Sequence, residues 1–105
     1  MLNGTIREGT TPIHSFEVEI DTSLIKEVKI IYSQRGKEIL VKRTEDCVIE
    51  DGEITTRFTQ DDTFLFGADT FVSIQLRVLT TGGDALRSDT IMVGVDKCLD
   101  DEVLV

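Results

Sequence analysis

The groups with which this 105-residue chain could do chemistry are few: one histidine, His14, two cysteines, Cys47 and Cys98, and a surplus of carboxylates. A catalytic histidine needs a nucleophile or an acid held beside it. The chain contains no Gly-x-Ser-x-Gly elbow, and neither cysteine has a histidine at a recognisable spacing, so His14 reads as a structural or surface residue. One histidine and two distant cysteines do not fill the four positions of a structural zinc site. With no secretion signal, both cysteines read as reduced thiols, a disulfide being the lesser alternative.

The carboxylates Asp61, Asp62, Asp96, Asp100, Asp101 and Glu102 could in principle converge on calcium, a hard cation that takes several oxygen ligands. No Asp-x-Asp-x-Asp-Gly loop occurs, however, and Asp61 and Asp62 have a simpler use at a helix start. A glycoside hydrolase needs two carboxyl groups at a set separation across a cleft, for which a domain this small has little room. Tyr32, Phe58, Phe64, Phe66 and Phe71 could form a sugar-stacking platform, but there is no tryptophan, and alternation turns most of them toward a core. The expectation is a chain with no catalytic residue, no cofactor and no metal.

The elements that position these groups are strands. From Phe71 to Val95, Val72, Ile74, Leu76 and Val78 alternate with Ser73, Gln75 and Arg77, and Ile91, Val93 and Val95 alternate with Thr90, Met92 and Gly94. Successive side chains on a strand face opposite ways, so these are two half-buried strands, joined through the turn at Gly82 and Gly83. Upstream, residues 1–12 read as irregular or as an edge, since Pro12 lacks a backbone donor. A strand is expected from about Ile13 to Ile20, then a turn over 21–25.

A second strand spans Lys26 to Gln34, with Val28, Ile30 and Tyr32 on one face. It returns after Arg35-Gly36-Lys37 as Glu38 to Arg43, with Ile39 and Val41 inward against Leu40 and Lys42. Asp51-Gly52 between β-prone runs signals another hairpin, Cys47 to Phe58. Thr59 followed by Asp61 and Asp62 starts a short helical turn that ends at Gly67. Residues 96–105 form an acidic tail carrying Leu99, Val103, Leu104 and Val105, which either frays or docks.

About seven strands at regular spacing, joined mostly by hairpins, predict an all-β antiparallel β-sandwich, immunoglobulin-like, with a short helical turn near 59–66. A small barrel is the second choice. Residues 1–95 form one domain, and 96–105 its tail.

The net charge is −9, and its excess is local: residues 44–62 hold seven acids against Arg57, and 96–105 hold four against Lys97. Such a chain repels phosphate backbones, which argues against nucleic acid as a partner. No apolar run is long enough for a membrane helix, and the opening MLNGTIREGTT lacks the layout of a signal peptide, so synthesis in the cytoplasm of its host is expected.

The order of short motifs is more specific than any one of them. Gly9-Thr10-Thr11-Pro12 leads to Phe16, then DTSLIKEVKIIYSQRGKEIL, then TRFTQDDTFLF, then VSIQLRVLTTGGDALRSDTIMVGV. This series resembles small structural proteins encoded in prophages of Gram-positive bacteria, and is similar to the N-terminal domain of upper-baseplate proteins. The resemblance extends to Val95; the tail is more acidic than that pattern. It implies a non-enzymatic virion subunit of the tail or baseplate, whose partners are other virion proteins or further copies of itself. The outward Gln75 and Arg77 and the tail residues Leu99 and Val103 are then the candidate partner contacts. The competing expectation is a stand-alone module that binds carbohydrate or calcium.

Overall fold

The computed structural model describes residues 4–105. In chain order the strands are β1 (Thr5–Arg7), β2 (Ile13–Glu17), β3 (Ile25–Gln34), β4 (Lys37–Arg43), β5 (Cys47–Glu50) and β6 (Glu53–Arg57). They continue, after helix α1 (Gln60–Phe64), with β7 (Val72–Thr80), β8 (Ala85–Arg87) and β9 (Ile91–Asp96). Two sheets result. One runs β1-β9-β7-β3-β4 with β8 also on β7, and the other runs β2-β6-β5. Separate sheets make this a sandwich and not a closed barrel.

With β2, β6 and β5 as strands B, E and D, and β3, β7, β9 and β4 as C, F, G and C′, the strand order is immunoglobulin-like. All pairings are antiparallel except that of β1 with β9, which is parallel. Residues 1–12, expected to be irregular or an edge, contain a short strand at the edge of the larger sheet, with Ile6 fully buried. Residues 1–3 of that start lie outside the described part. The expected strand from Ile13 to Ile20 stops at Glu17, after which Val18 donates its amide to the Gly52 carbonyl.

Turn chemistry sets much of the register. Arg35 and Gly36 have φ of 52° and 77°, and Asp51 and Gly52 have 52° and 79°. Positive φ at both central residues is the mark of the tight turn whose twist matches a hairpin. Between Tyr32 and Ser33 a bulge shifts the β3–β4 pairing, so that Ser33 faces Glu38 while Tyr32 faces Leu40. The extra residue, Ile39, reverses the expected facing of β4: Leu40 and Lys42 lie opposite the buried Tyr32 and Ile30, and Val41 faces outward with Ile31.

The hairpin from Phe71 to Val95 forms as expected, except that its return strand is broken. Arg77 pairs with Arg87, but Ile74 pairs with Ile91, leaving one residue too many on the return side. Ser88 fills the break, donating its amide to the Leu76 carbonyl and accepting the Leu76 amide on its hydroxyl.

The core between the sheets holds Ile30, Tyr32, Ile54, Phe58, Phe66, Val72 and Ile74, all buried. Helix α1 plugs one end. Thr59 and Asp62 exchange reciprocal hydrogen bonds, the Asp62 amide to the Thr59 hydroxyl at 3.1 Å and the Thr59 amide to the Asp62 carboxylate at 2.9 Å. That capping box satisfies two donors a short helix would otherwise leave open.

Candidate functional site

Of the groups that could do chemistry, His14 is half-buried, and its Nδ1 lies 3.2 Å from the Tyr32 hydroxyl, with Phe58 packed on its ring. Burial lowers its pKa. The same burial raises the Tyr32 phenol, helped by Cys47 beside it. Cys47 is itself raised, chiefly by burial, which makes it a poor nucleophile; both cysteines are free. His14 therefore belongs to an aromatic stack with Tyr32, Phe58 and Phe66 inside the sandwich. Among the described residues no three His, Cys, Asp or Glu side chains come together in a way that could hold a metal ion.

Several of the motif residues are joints of the scaffold. The buried Thr63 hydroxyl accepts from the Gly9 amide at 3.0 Å and lies 3.1 Å from the Thr10 carbonyl, to which it can donate. The Pro12 carbonyl accepts from the Phe58 amide. Gly9, at φ +79°, has the Phe64 ring 3.1 Å from where a Cβ would stand, so no other residue fits without displacement. Gln34 clamps Gly67 through both of its amide atoms, at 2.7 and 2.9 Å. These residues tie the segment after β1, β3 and α1 together.

Solvent-facing chemistry lies on the outer face of the larger sheet. Alternation along β7 turns Gln75, Arg77 and Leu79 outward, opposite the buried Ile74, Leu76 and Val78. Register then aligns four cations. Arg43 pairs with Lys29, Lys29 with Arg77, and Arg77 with Arg87, so a single row of like charges crosses β4, β3, β7 and β8. Like charges directly opposite one another on a sheet are destabilising. None of the four has a carboxylate partner: the ion pairs among the described residues are Arg7 with Asp96, Arg35 with Asp69 and Lys42 with Asp62. A depression of about 320 Å³ on this face is lined in part by Lys29, Arg43, Arg77 and Leu79, with Glu27 its one carboxylate.

Arg77 was thus identifiable as an outward residue, and it sits at the centre of this row. Gln75 shares the face, half-buried, and donates to the Ser88 carbonyl at 3.3 Å. Leu99 and Val103 are elsewhere. They border a different depression together with Glu8, Asp61 and Phe64. The tail docks on α1: the Gln60 side chain exchanges two 2.9 Å hydrogen bonds with the Leu104 backbone, and the Cys98 amide donates to the Glu8 carboxylate. Leu99 is fully exposed and Val103 half-buried.

Lys29, Arg43 and Arg87 are the partners of Arg77 that sequence reasoning missed. Periodicity places Lys29 on the outer face of its strand, but the row depends on pairing across strands distant in the chain.

No helix among the described residues is long and apolar enough to cross a membrane. No protein-family model and no curated protein matches the chain. Among solved structures it is similar to the extracellular domain of mouse leukocyte-associated immunoglobulin-like receptor 1, crystallised as a strand-swapped dimer. That match is 15% identical, covers 97% of this chain and 87% of the other, and has a TM-score of 0.49. The immunoglobulin-like arrangement of this chain rests on its own strand order and pairing.

Proposed function

We propose that this protein is a non-enzymatic structural subunit that works by being held in an assembly, and that the assembly is a phage or prophage tail or baseplate. The observation that carries the assembly reading is the row Arg43, Lys29, Arg77 and Arg87: four cations set side by side on an open sheet face, on a chain of net charge −9, with no ion pair to any of them among the described residues. A monomer gains nothing from that arrangement, whereas a neighbour that supplies anions relieves it. The virion reading is supported by the resemblance of the ordered motifs to prophage structural proteins. His14, Tyr32 and Cys47 are engaged in or against the core and Asp62 at a helix cap, in keeping with a subunit whose work is contact.

The test of the virion reading is to induce the prophage in the bacterium that carries the gene, purify the particles and identify their proteins by mass spectrometry. The protein is expected in stoichiometric amounts with tail or baseplate proteins. Particles that assemble without it would contradict the reading.

A further inference from the structure

The smaller sheet carries a second row of like charges. Glu17 pairs with Glu53, and Glu53 with Glu50, so three carboxylates lie directly opposite one another across β2, β6 and β5. All three are exposed, on the face away from the buried Ile54 and Thr56. None belongs to an ion pair among the described residues.

The sandwich therefore bears a row of cations on one outer face and a row of carboxylates on the other. Both run across strands, so both repeat at the strand separation of about 4.8 Å. Aliphatic side chains flank the cation row, and the acidic row is flanked by Ser15, Thr55 and one aliphatic residue. Two residues along β3 and β4 from Lys29 and Arg43 are the paired, half-buried Ile31 and Val41, and two residues along β5 from Glu50 is Val48, 56% exposed.

We propose that the partner at the cation row is a second copy of this chain, presenting its Glu17–Glu53–Glu50 row, so that copies stack sheet on sheet, larger outer face against smaller. The two rows are opposite in sign and share the strand spacing, four cations against three carboxylates, and each is repulsive within one molecule and attractive between two. Because the contacting faces differ, the interface is heterologous, and repetition gives a ring or an open filament. The pairing rests on the assembly reading and specifies its partner.

The experiment is sedimentation velocity on the full chain over a concentration series. It is run at an ionic strength of about 0.01 M, where charges are felt over about 30 Å, and at about 1 M, where they are felt over about 3 Å. Two double variants accompany it: Lys29→Glu with Arg77→Glu, which reverses the two inner charges of the cation row and cancels its net charge, and Glu17→Lys with Glu53→Lys, which leaves Glu50 as the one acid of its row. Circular dichroism checks their folding. The wild type should associate beyond a dimer at low ionic strength and return to monomer at high. Each variant alone should stay monomeric, and an equimolar mixture of the two should associate again.

A wild type that is monomeric at low ionic strength, or one whose cation row is filled by a different acidic protein, overturns the pairing. Association that ignores both salt and charge reversal also overturns it, while leaving the assembly reading in place. Salt-sensitive association rescued by mixing supports the pairing even if purified particles lack the protein, in which case the virion reading alone falls.

Discussion

Lys29 and Arg77 stand directly opposite each other on β3 and β7, two cations on the open face of a sheet in a chain of net charge −9. Arg87 lies on the far side of Arg77 and Arg43 on the far side of Lys29. The fold holds them there because β3 and β7 are its central strands, pinned by the buried Val28, Ile30, Tyr32, Ile74 and Leu76 behind them. Core burial fixes the register, and the register imposes the charge row.

Reversing the middle charge should therefore stabilise the monomer. Arg77→Glu replaces two like-charge oppositions with two opposite-charge pairs, each contributing roughly 0.2–1 kcal/mol. Urea unfolding at low ionic strength should show a rise of about 1 kcal/mol over wild type, fading as salt is added. A loss of similar size at low salt would contradict the arrangement.

A different ion pair supports the fold. Lys42 Nζ lies 2.8 Å from the Asp62 carboxylate and 5.5 Å from the centre of the Phe58 ring, with the two charged side chains only 11% and 18% exposed. Burial alone would raise the Asp62 carboxyl, but the Lys42 ammonium and the Thr59 amide outweigh it and hold it below its usual 3.8. A lowered folded pKa stabilises the protein above the unfolded value and is lost as pH falls through the folded one. Lys42→Met should cost about 3 kcal/mol at neutral pH by stranding the carboxylate. That penalty should shrink below pH 3.8 as Asp62 takes up a proton. A penalty that stays constant into acid would show that the pair is not its source.

His14 titrates in the opposite region of the scale. Its folded pKa is lowered from 6.5 by burial, so between the two values the unfolded chain binds the extra proton. Stability is then fully present above pH 6.5 and declines as pH falls through the lowered folded value. In His14→Phe that component of the pH dependence should vanish, whatever constant offset the substitution adds. Parallel wild-type and variant profiles from pH 8 to about 5 would contradict the burial of a neutral imidazole.

Thr63 tests the scaffold role of the motif residues. Its side chain is fully buried, and its hydroxyl accepts from the Gly9 amide in the β1–β2 connection, with the Thr10 and Gln60 carbonyls at 3.1 and 3.0 Å as alternative acceptors of its proton. Thr63→Val keeps the shape and leaves the Gly9 amide without its acceptor, for an expected loss of about 1–3 kcal/mol in chemical denaturation. A change within experimental error would mean that water or a shifted backbone replaces the hydroxyl.

How much of this was legible in the sequence depended on whether the determinant was local. The faces of β3 and β7 follow from alternation, and the tight turns at Arg35-Gly36 and Asp51-Gly52 from residues that tolerate positive φ. The capped turn at Thr59 follows from hydroxyl and carboxylate spacing. The inward facing of Lys42 was not legible, because one bulged residue, Ile39, flips the rest of β4. Nor was the parallel pairing of β1, three residues long, with β9 from the other end of the chain. Neither charge row could be read off either, since Lys29 meets Arg77 and Glu17 meets Glu53 only through pairings between distant segments.

The most direct measurement of the central claim is zero-length carbodiimide cross-linking, which joins an amine to a carboxylate only in contact. An equal mixture of unlabelled and ¹⁵N-labelled protein at low ionic strength, digested and analysed by mass spectrometry, separates bonds between copies from bonds within one. Mixed-isotope links from Lys29 to Glu17, Glu50 or Glu53 are the predicted result. Links from Lys29 confined to its own chain, with Glu17, Glu50 and Glu53 unmodified by any second copy, would contradict the account.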